Sequence, residues 1–539
     1  MSHIVLLLVL GTLTNPVSAE PLPQPDSQKQ ASPLNYFSYA REHRFPTIVE
    51  ADVCVYGGTS AGVIAAVQLS RLGKTVVIAE PSDHLGGLSS GGLSFTDIGN
   101  KKAIGGLSRE FYRRTGQQYG VEEEWRFEPH IAELIFKEMI EEANVPVFFR
   151  HFLQRVGKSG VRIQEIETRG GAIIRAKMFI DASYEGDLMA QAGVTFRQGR
   201  EGNYEQGETI NGFQLRDKHQ FEFSVDPYVV EGDPHSGLLP GILTGPPGEI
   251  GDGDLAIQAY NFRLCLTKDP QNKLPFPKPE NYDPQQYELL RRYLATGWEN
   301  LFYGIVPIRN KKFDMNNAGA VSTDYIGMNH DYPGADYEWR ERIFQQHVNY
   351  QKGLMWFLAN DPAVPARVRA RVNEYGLCKD EFVDTGGWPH QLYIREARRM
   401  VADYIMNEHN CRGTRVAPDP VGLAAYTMDS HNCNRFTVDD QVWNEGDIQA
   451  SGFPPYPISY RSIIPRKNEC ENLLVPVCLA TTHIAYGSIR MEPVFMILGH
   501  SAADAAALAI DRQSAVQDVP YAELRRVLEQ GRQVLAWTG

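Results

Sequence analysis

The chain has 539 residues, too many for one small core, and its apolar and charged fractions of 42% and 22% are those of an ordinary globular protein. A formal net charge of −13 argues against nucleic acid as a partner, because phosphate binding needs a basic surface. The 7 cysteines, with no CxxC pair among them, exclude a disulfide-built scaffold and give no support to a zinc site, so we expect no metal.

The first 19 residues predict a secretory signal peptide. An apolar stretch from Ile4 to Leu13 is too short to span a bilayer, and the small residues Val17 and Ala19 precede Glu20 as at a signal-peptidase site. The alternative is a membrane anchor, since no Lys or Arg precedes the apolar stretch. We expect a secreted or periplasmic protein without stable membrane insertion, exported unfolded because no twin arginine is present.

Residues 20–48, rich in Pro, Gln and Ser, predict an extended N-terminal arm. The segment DVCVYGGTSAGVIAAVQLSRLGKTVVIAE, residues 52–80, then contains a buried strand, a glycine turn, a helix and a second buried strand. This order predicts the βαβ unit of a dinucleotide-binding domain. Strand, helix, second strand and terminal acid occur together, which favours this interpretation over a glycine turn that binds nothing.

Each polar or glycine position of this unit has an expected role. The helix N-terminus should face a pyrophosphate, and Glu80 should accept hydrogen bonds from a ribose. Thr59 stands where the usual fingerprint has its second glycine, and its hydroxyl can donate to a phosphate oxygen. The residues expected around the pyrophosphate are Gly57, Gly58, Thr59, Ser60 and Gly62.

The segments that follow favour FAD over a nicotinamide cofactor. PSDHLGGLSSGGLSFTD carries two glycine pairs that would let backbone approach a long dinucleotide, although a mobile glycine loop is the alternative. AKMFIDASYEGDLMAQAG adds a strand, a DAS turn and a helix. A late segment, residues 472–509, adds a strand at 473–480, a polar loop and a helix from about Glu492 that can point at the flavin pyrimidine. The further expected FAD contacts are Gly86, Gly87, Ser90, Gly91, Asp181, Ala182, Gly186, Asp187, Gly487 and Ser488.

The chain resembles the FAD-dependent oxidoreductase family found in many secreted bacterial proteins. The segments that carry the resemblance span about residues 51–512 and include DVCVYGGTSAGVIAA, EPSDHLGGLSSGGL, GGLSREFY, FIDASYEGDLMAQAGV, AYNFRLCLT, MDSHNCNR and PYPISYRSIIP. The resemblance implies an α/β fold, with a Rossmann-like FAD-binding domain of the glutathione-reductase type and an inserted cap or substrate domain. YGGT is usual in this family, so Thr59 fits it, whereas His500 and Asp504 in GHSAADAA depart from the usual GQAAGxAA.

We accordingly expect residues 49–204 and 441–539 to form the two parts of the FAD-binding domain, and residues 205–440 to form the cap. Within the cap, YIREARRMVADYIM (393–406) predicts an amphipathic helix. Its arginines, Arg395, Arg398 and Arg399, should form a solvated or ion-paired face. The alternative is that one of them reaches the active site.

The chemistry needs position, electrostatics and a base from the protein. When an alcohol loses a hydride its O–H proton must also leave, and histidine suits that role near neutral pH. The candidates are His483 and His431, where His483 could instead be a structural residue of its loop. Arg490, near the start of the last long helix, should stabilise the reduced flavin or hold substrate, unless it only pairs with an acid such as Glu492.

These features predict a secreted FAD-dependent oxidoreductase, a dehydrogenase or oxidase, that takes a hydride from a small organic substrate such as a sugar or polyol. Only one dinucleotide fingerprint is present, so oxygen or an electron carrier is the expected acceptor. Two alternatives stay open: a polysaccharide lyase or carbohydrate-binding protein with structural FAD, and a flavin monooxygenase. Substrate-dependent bleaching separates the first from an oxidoreductase, and reduction by NAD(P)H identifies the second.

Overall fold

A computed structural model describes residues 34–37, 47–301 and 304–539 of the chain. The predicted signal peptide, residues 1–19, lies outside the described residues. The helices, numbered in chain order, are α1 (Ser60–Arg71), α2 (Gly106–Gln118), α3 (Pro129–Glu142), α4 (Asp187–Gln191), α5 (Asn203–Gln206), α6 (Glu288–Ala295), α7 (Tyr337–Asn360), α8 (Ala366–Val372), α9 (Glu408–Cys411), α10 (His483–Ile489), α11 (Glu492–Arg512) and α12 (Tyr521–Gln530).

The strands are short outside the first third of the chain. They are β1 (Thr47–Tyr56), β2 (Val76–Glu80), β3 (Val147–Phe149), β4 (Leu153–Ser159), β5 (Arg162–Thr168), β6 (Ala172–Asp181), β7 (Phe196–Arg197), β8 (Leu243–Thr244), β9 (Leu264–Thr267), β10 (Lys273–Leu274), β11 (Ile305–Pro307), β12 (Lys312–Met315), β13 (Gly376–Cys378), β14 (Arg399–Met400), β15 (Pro420–Ala424), β16 (Met428–Ser430), β17 (Asn434–Val438), β18 (Gln441–Glu445), β19 (Ile448–Ala450), β20 (Tyr456–Ser459) and β21 (Leu473–Leu474).

The largest sheet has the strand order β3-β2-β1-β6-β5-β4, and β21 pairs with the end of β6. β1 is parallel to β2 and to β6, and β21 is parallel to β6, so the carboxyl ends of these strands meet at one edge. Residues 53–56 of β1 and all of β2 are buried, as continuous apolar runs predict. The predicted βαβ unit and the α/β Rossmann-like fold are therefore confirmed.

Helices α1 and α11 pack closely against each other because glycines face backbone at two points. A side chain at Gly62 would collide with the carbonyl oxygen of Gly57, and one at Gly499 would collide with the backbone of Ala61. Within the described residues, α11 is the one helix long and apolar enough to cross a membrane, and 89% of its most apolar stretch lies inside the protein. Its apolar character is accounted for by its place in the core.

The middle of the chain builds a second, antiparallel sheet in the order β10-β13-β9-β12-β11, beside the 24-residue helix α7. All seven cysteines are buried and free. The chain before β1 also contacts this region, because the backbone N–H groups of Tyr36 and Phe37 donate to the Glu341 carboxylate at 2.7 and 2.8 Å.

The prediction of a helix over residues 393–406 is wrong. The segment is extended, and it contributes β14 to a two-stranded sheet with β7. Arg395 and Arg399 are buried, and they form ion pairs with Asp324 and Glu201. Successive side chains of an extended chain point to opposite sides, so each charged residue here reaches its own buried partner.

The late segment differs in detail from its prediction. The strand is limited to β21, because the N–H groups of Val475 and Ala480 donate to the carbonyl oxygens of Ile463 and Ser462, outside any sheet. The predicted polar loop contains α10, whose first residue is His483. Helix α11 begins at Glu492, as predicted.

Candidate active site

The first glycine turn lies at the carboxyl edge of the parallel strands, between β1 and α1. Gly57 has φ +96°, and a side chain there would approach the Ser183 nitrogen to 2.8 Å. Helix α1 begins at Ser60, with no acidic residue in its first turn. The positive end of α1 is thus available to an anion at the place expected for the pyrophosphate.

Thr59 has a different role from the one we predicted. Its hydroxyl donates to the carbonyl oxygen of Ala182 at 2.7 Å and accepts from the N–H of Gly62 at 3.4 Å. The hydroxyl proton is therefore directed to the loop after β6 and not to a phosphate position. Thr59 caps α1 and ties the ends of β1 and β6 together.

Glu80 ends β2 and is buried beside the turn. Its carboxylate accepts from the N–H of Gly58 at 2.5 Å and from the N–H of Ser82 at 2.6 Å. Burial, the main cause, raises the pKa of Glu80. A cavity of about 70 Å³ touches Gly57, Thr59 and Glu80, and one of about 230 Å³ adjoins it at Ser82. This is the path expected for a ribose and its base.

The second glycine loop contacts the first directly. The N–H of Gly86 donates to the carbonyl oxygen of Gly58 at 2.8 Å, and Gly86 has φ +98°. The Ser90 hydroxyl donates to the carbonyl oxygen of Leu85 at 2.5 Å, which stabilises the turn. The structure therefore brings both predicted glycine loops to the same edge of the sheet.

The acids after β6 organise the chain around α4. Asp181 accepts from the N–H of Met189 at 2.8 Å and from Ser183, and burial raises its pKa to about 6. Asp187 forms ion pairs with Arg340 and Arg398, each at 2.7 Å. Both acids thus use their oxygens on protein donors.

The glycine positions fit a dinucleotide, but the space along them is partly filled by side chains. The Tyr184 hydroxyl lies where a side chain at Gly87 would be, and Gln391 lies where one at Gly91 would be. A cavity of about 70 Å³ is also smaller than the about 300 Å³ at which ligand pockets begin. The residues therefore fit the adenosine and pyrophosphate parts of FAD, and whole FAD requires Tyr184 and Gln391 to turn aside.

A buried charged cluster surrounds His431, just beyond β16. The Nδ1 atom of His431 lies 2.7 Å from a carboxylate oxygen of Asp324, and Nε2 lies 3.5 Å from Asp429. Arg490 donates to Asp429 at 3.0 Å and to the Tyr393 hydroxyl at 3.0 Å. Burial raises the pKa values of Asp324 and Asp429, but the neighbouring cationic groups outweigh it and hold both below their ordinary range.

Tyr393 is the aromatic centre of this cluster. The guanidinium carbons of Arg395, Arg490 and Arg263 lie 4.5, 5.8 and 5.9 Å from its ring centroid. The Nε atoms of Arg395 and Arg490 are buried and have no hydrogen-bond partner in the described part of the chain. The cluster thus holds donors that the protein itself leaves unused.

His483 lies on the other face of β16. Its Nδ1 atom is 2.8 Å from the Glu396 carboxylate, and its Nε2 atom is 3.0 Å from the Ser430 hydroxyl. Because neighbouring side chains of a strand alternate, Ser430 points to His483 while Asp429 points to Arg490. The two candidate histidines are therefore separated by one strand, and His483 is fully buried with both ring nitrogens occupied.

Gly487 and Ser488, predicted to contact FAD, lie in α10 against the strand of the cluster. A side chain at Gly487 would collide with the backbone of Asp429. The Ser488 hydroxyl accepts from the Tyr456 hydroxyl at 2.8 Å and donates to the Tyr426 carbonyl oxygen at 2.5 Å. Their contacts in the structure are with the protein.

The sequence analysis did not identify the partners that fix these histidines, namely Asp324, Asp429 and Glu396. Asp429 could have been noticed, because it stands two residues before His431 and so on the same side of a strand. Asp324 is 107 residues from His431 and Glu396 is 87 residues from His483, and no local pattern marks either acid.

Comparisons with known proteins agree with this architecture. The family model of the FAD dependent oxidoreductases matches residues 52–528. No curated protein matches the chain. Among solved structures, the L-amino acid deaminase from Proteus vulgaris is 15% identical with a TM-score of 0.24, covering 30% of this chain and 54% of that one.

Two further solved structures are similar at the same level. The 3-ketosteroid-delta4-(5alpha)-dehydrogenase from Rhodococcus jostii RHA1 is 15% identical with a TM-score of 0.19, covering 27% of this chain and 49% of that one. A flavin-containing monooxygenase from Stenotrophomonas maltophilia is 18% identical with a TM-score of 0.19, covering 29% and 43%. The chain spans about half the length of these proteins, and TM-scores this low support no argument about function.

The family match extends from the first glycine turn to α12, so it covers both ends of the FAD-binding domain and the residues between them. It agrees with the cofactor and the class of enzyme that the motifs predict. The chain belongs to the family of FAD dependent oxidoreductases, whose cofactor is FAD.

Proposed function

We propose that the protein oxidises a small hydroxyl-bearing molecule, a sugar or polyol, with FAD as the hydride acceptor. The observation that carries the proposal is the buried His431, held between Asp324 and Asp429 beside Arg490. When bound, FAD supplies the chemistry of accepting the hydride. The protein must supply the base and the contacts that hold the substrate.

The position of this cluster supports its role. Glu492, the first residue of α11, accepts from the Ser89 hydroxyl at 3.0 Å and from the Tyr184 hydroxyl at 2.8 Å, so α11 begins at the second glycine loop. Arg490 stands two residues before that start. A side chain at Gly92, in the same loop, would collide with the Arg263 carbonyl oxygen. The cluster and the glycine loops are therefore neighbours.

His431 is suited to be the base. If Nδ1 carries its proton toward Asp324, Nε2 keeps a free lone pair, and its 3.5 Å separation from Asp429 is too long for a strong hydrogen bond. A substrate hydroxyl can donate to that lone pair. As the C–H hydride leaves for FAD, the O–H proton passes to Nε2 and the substrate becomes a carbonyl compound.

The cluster also supports the substrate class. Arginine donors and carboxylate acceptors alternate around Tyr393, and the Nε atoms of Arg395 and Arg490 have no partner among the described residues. A hydroxyl group both donates and accepts, so a molecule with several hydroxyls matches such a mixed set. We therefore favour a sugar or polyol over a hydrocarbon substrate.

His483 is the less suitable base, because Glu396 and Ser430 occupy both its ring nitrogens. We propose that it holds β16, and with it Asp429 and His431, in position. The burial of His483 and Glu396, both fully inaccessible, supports this role.

We further propose that the protein is exported before it folds and that oxygen or an electron carrier reoxidises the flavin. The leader-like first 19 residues support export, and the lone βαβ fingerprint supports an acceptor other than a nicotinamide. Acid precipitation should release the FAD into the supernatant, and a yellow pellet would show a covalent bond instead.

The experiment is an anaerobic screen of sugars, polyols and amines against the purified holoprotein, followed at the flavin absorbance. Bleaching by a sugar or polyol is the expected result. Cleavage of a polysaccharide without bleaching would favour the lyase alternative, and reduction by NADPH would favour a monooxygenase. A His235→Asn variant, altered at an exposed histidine outside the cluster, is the control for His431→Asn.

A further inference from the structure

A second large cavity lies on the outer side of the FAD-binding domain. It has a volume of about 480 Å³ and lies between the C-terminal end of α1, the start of α2, the middle of α11 and the residues after α12. Arg71, which lines it, is about 16 Å along the axis of α1 from Ser60 at the glycine turn. The cavity is therefore separate from the flavin end of the domain.

Four arginines line this cavity: Arg71, Arg109, Arg113 and Arg532. Arg71 pairs with Glu110 at 2.8 Å. Arg109 and Arg113 share one carboxylate, that of Glu123, at 2.6 and 3.4 Å. Arg532 has no ion pair within the described residues. Four guanidinium groups thus face two carboxylates, a local positive excess in a chain of net charge −13.

His500 adds a donor without an acceptor. It is 2% exposed, and its Nδ1 atom accepts from the N–H of Leu107 at 3.3 Å, so Nε2 carries the proton in the neutral ring. Nε2 has no hydrogen-bond partner in the described part of the chain, and the nearest carboxylate oxygen, on Asp504, is 3.5 Å away. His500 is one of the two residues that depart from the family pattern.

Glycines keep the surroundings of this imidazole open. A side chain at Gly531 would approach Nε2 to 2.8 Å, and one at Gly106 would approach Nδ1 to 2.7 Å. Gly106 is also the first residue of α2, whose N-cap, Gly105, has no side-chain cap. The positive end of a 13-residue helix therefore adds to the field of the arginines.

We propose that this cavity binds a small organic phosphate. The phosphate would accept hydrogen bonds from the arginines and from His500 Nε2, because guanidinium groups and helix N-termini are the usual partners of phosphate oxygens. Ile104, Leu107 and Val534 form an apolar wall for the organic part. A volume of about 480 Å³ is within the range of small-molecule sites and larger than one phosphate ion needs.

The test is isothermal titration calorimetry of the FAD-loaded protein with inorganic phosphate and with phenyl phosphate, at constant ionic strength. Phenyl phosphate should bind more tightly than inorganic phosphate. Arg113→Glu, at a half-exposed position, should weaken binding about ten-fold or more, since it removes one charge-assisted contact and adds a repulsive charge. Arg532→Ala should weaken it as well.

Arg525→Glu is the matched control, because Arg525 is equally exposed, lies on α12 and does not line the cavity. It should bind phenyl phosphate as the unmodified protein does, and all variants should keep the same flavin absorbance. Absence of binding, or equal weakening by Arg113→Glu and Arg525→Glu, would overturn the site. Equal affinity for the two probes would overturn the organic part of the ligand.

Discussion

His431 and His483 lie on opposite faces of β16, and their hydrogen bonds give them different environments. His431 has one strong partner, Asp324, and one distant one, whereas His483 is held by Glu396 and Ser430 at both ring nitrogens. A base needs one free nitrogen at the substrate, and a positioning residue does not. The difference makes separate predictions for the two residues.

The first prediction concerns these histidines. His431→Asn should slow flavin reduction by a substrate from the screen about 10²–10⁴-fold, the usual contribution of a general base, with FAD still bound. His483→Asn should mainly lower the free energy of unfolding, because it leaves the Glu396 charge buried without its partner. Rapid-mixing absorbance and urea unfolding measure the two effects. Reduction of the His431 variant at the unmodified rate would place the base elsewhere.

Glu80 gives a second prediction at this scale. Its carboxylate lies at the cavity expected for the ribose, far in sequence from the His431 cluster. Glu80→Ala should weaken FAD binding roughly ten-fold or more, since each charge-assisted hydrogen bond contributes about 1.5–3 kcal/mol. The reduction rate of the reconstituted enzyme should change little. FAD titration by fluorescence tests this, and an unchanged affinity would contradict the ribose assignment.

Among the elements, α11 links the glycine loops to the charged cluster. It begins at Glu492 beside Ser89, and Arg490 immediately precedes it. A full positive charge and the positive helix end here should favour the flavin when it carries negative charge. Arg490→Gln should therefore lower the reduction potential of the bound FAD, as measured by potentiometry. A potential equal to that of the unmodified protein would show that α11 does not start at the flavin.

Another link joins α3 to the segment before residue 393. His84 lies 3.1 Å from Glu133 of α3 and 3.2 Å from Asp384, and its ring stacks on His390 with centroids 3.6 Å apart. Burial lowers the pKa of His84, but the two carboxylates outweigh it and raise the pKa to about 9. The charged imidazole thus connects two parts of the chain at the adenosine end of the site.

This link predicts a pH dependence. Because the folded-state pKa of His84 is raised, its stabilisation is fully present below about pH 6.5 and is lost as the pH rises through about 9. The difference in unfolding free energy between the unmodified protein and His84→Gln should be largest near pH 6 and should shrink by pH 9. Urea unfolding at both values measures it, with His235→Gln as control. A difference independent of pH would contradict the assignment.

Elements that depend on neighbouring residues were predictable from sequence, and those that depend on distant partners were not. The βαβ unit of residues 52–80 and the start of α11 follow from local apolar runs and glycines. Residues 393–406 have a helical spacing, yet they are extended because Arg395 and Arg399 reach buried acids on different sides. Those acids are 71 and 198 positions away, counted from the pairs Asp324–Arg395 and Glu201–Arg399.

For the whole molecule, the two ends of the chain meet in one sheet, since β21 pairs with β6 beside β1. The middle of the chain brings Asp324 and Arg395 to the strand that carries His431, so the proposed site is complete only in the folded full chain. The catalytic roles of these residues remain predictions, whereas the fold and the family are established by the match over residues 52–528.

The central claim is that a hydroxyl substrate reduces FAD with His431 as the base. The most direct measurement is anaerobic mixing of the holoprotein with sugars and polyols, followed at the flavin absorbance, in the unmodified protein and in His431→Asn. We predict bleaching by at least one such compound and a rate about 10²–10⁴-fold lower in the variant. A flavin that stays oxidised with every hydroxyl compound, or that bleaches equally fast in both proteins, would contradict the claim.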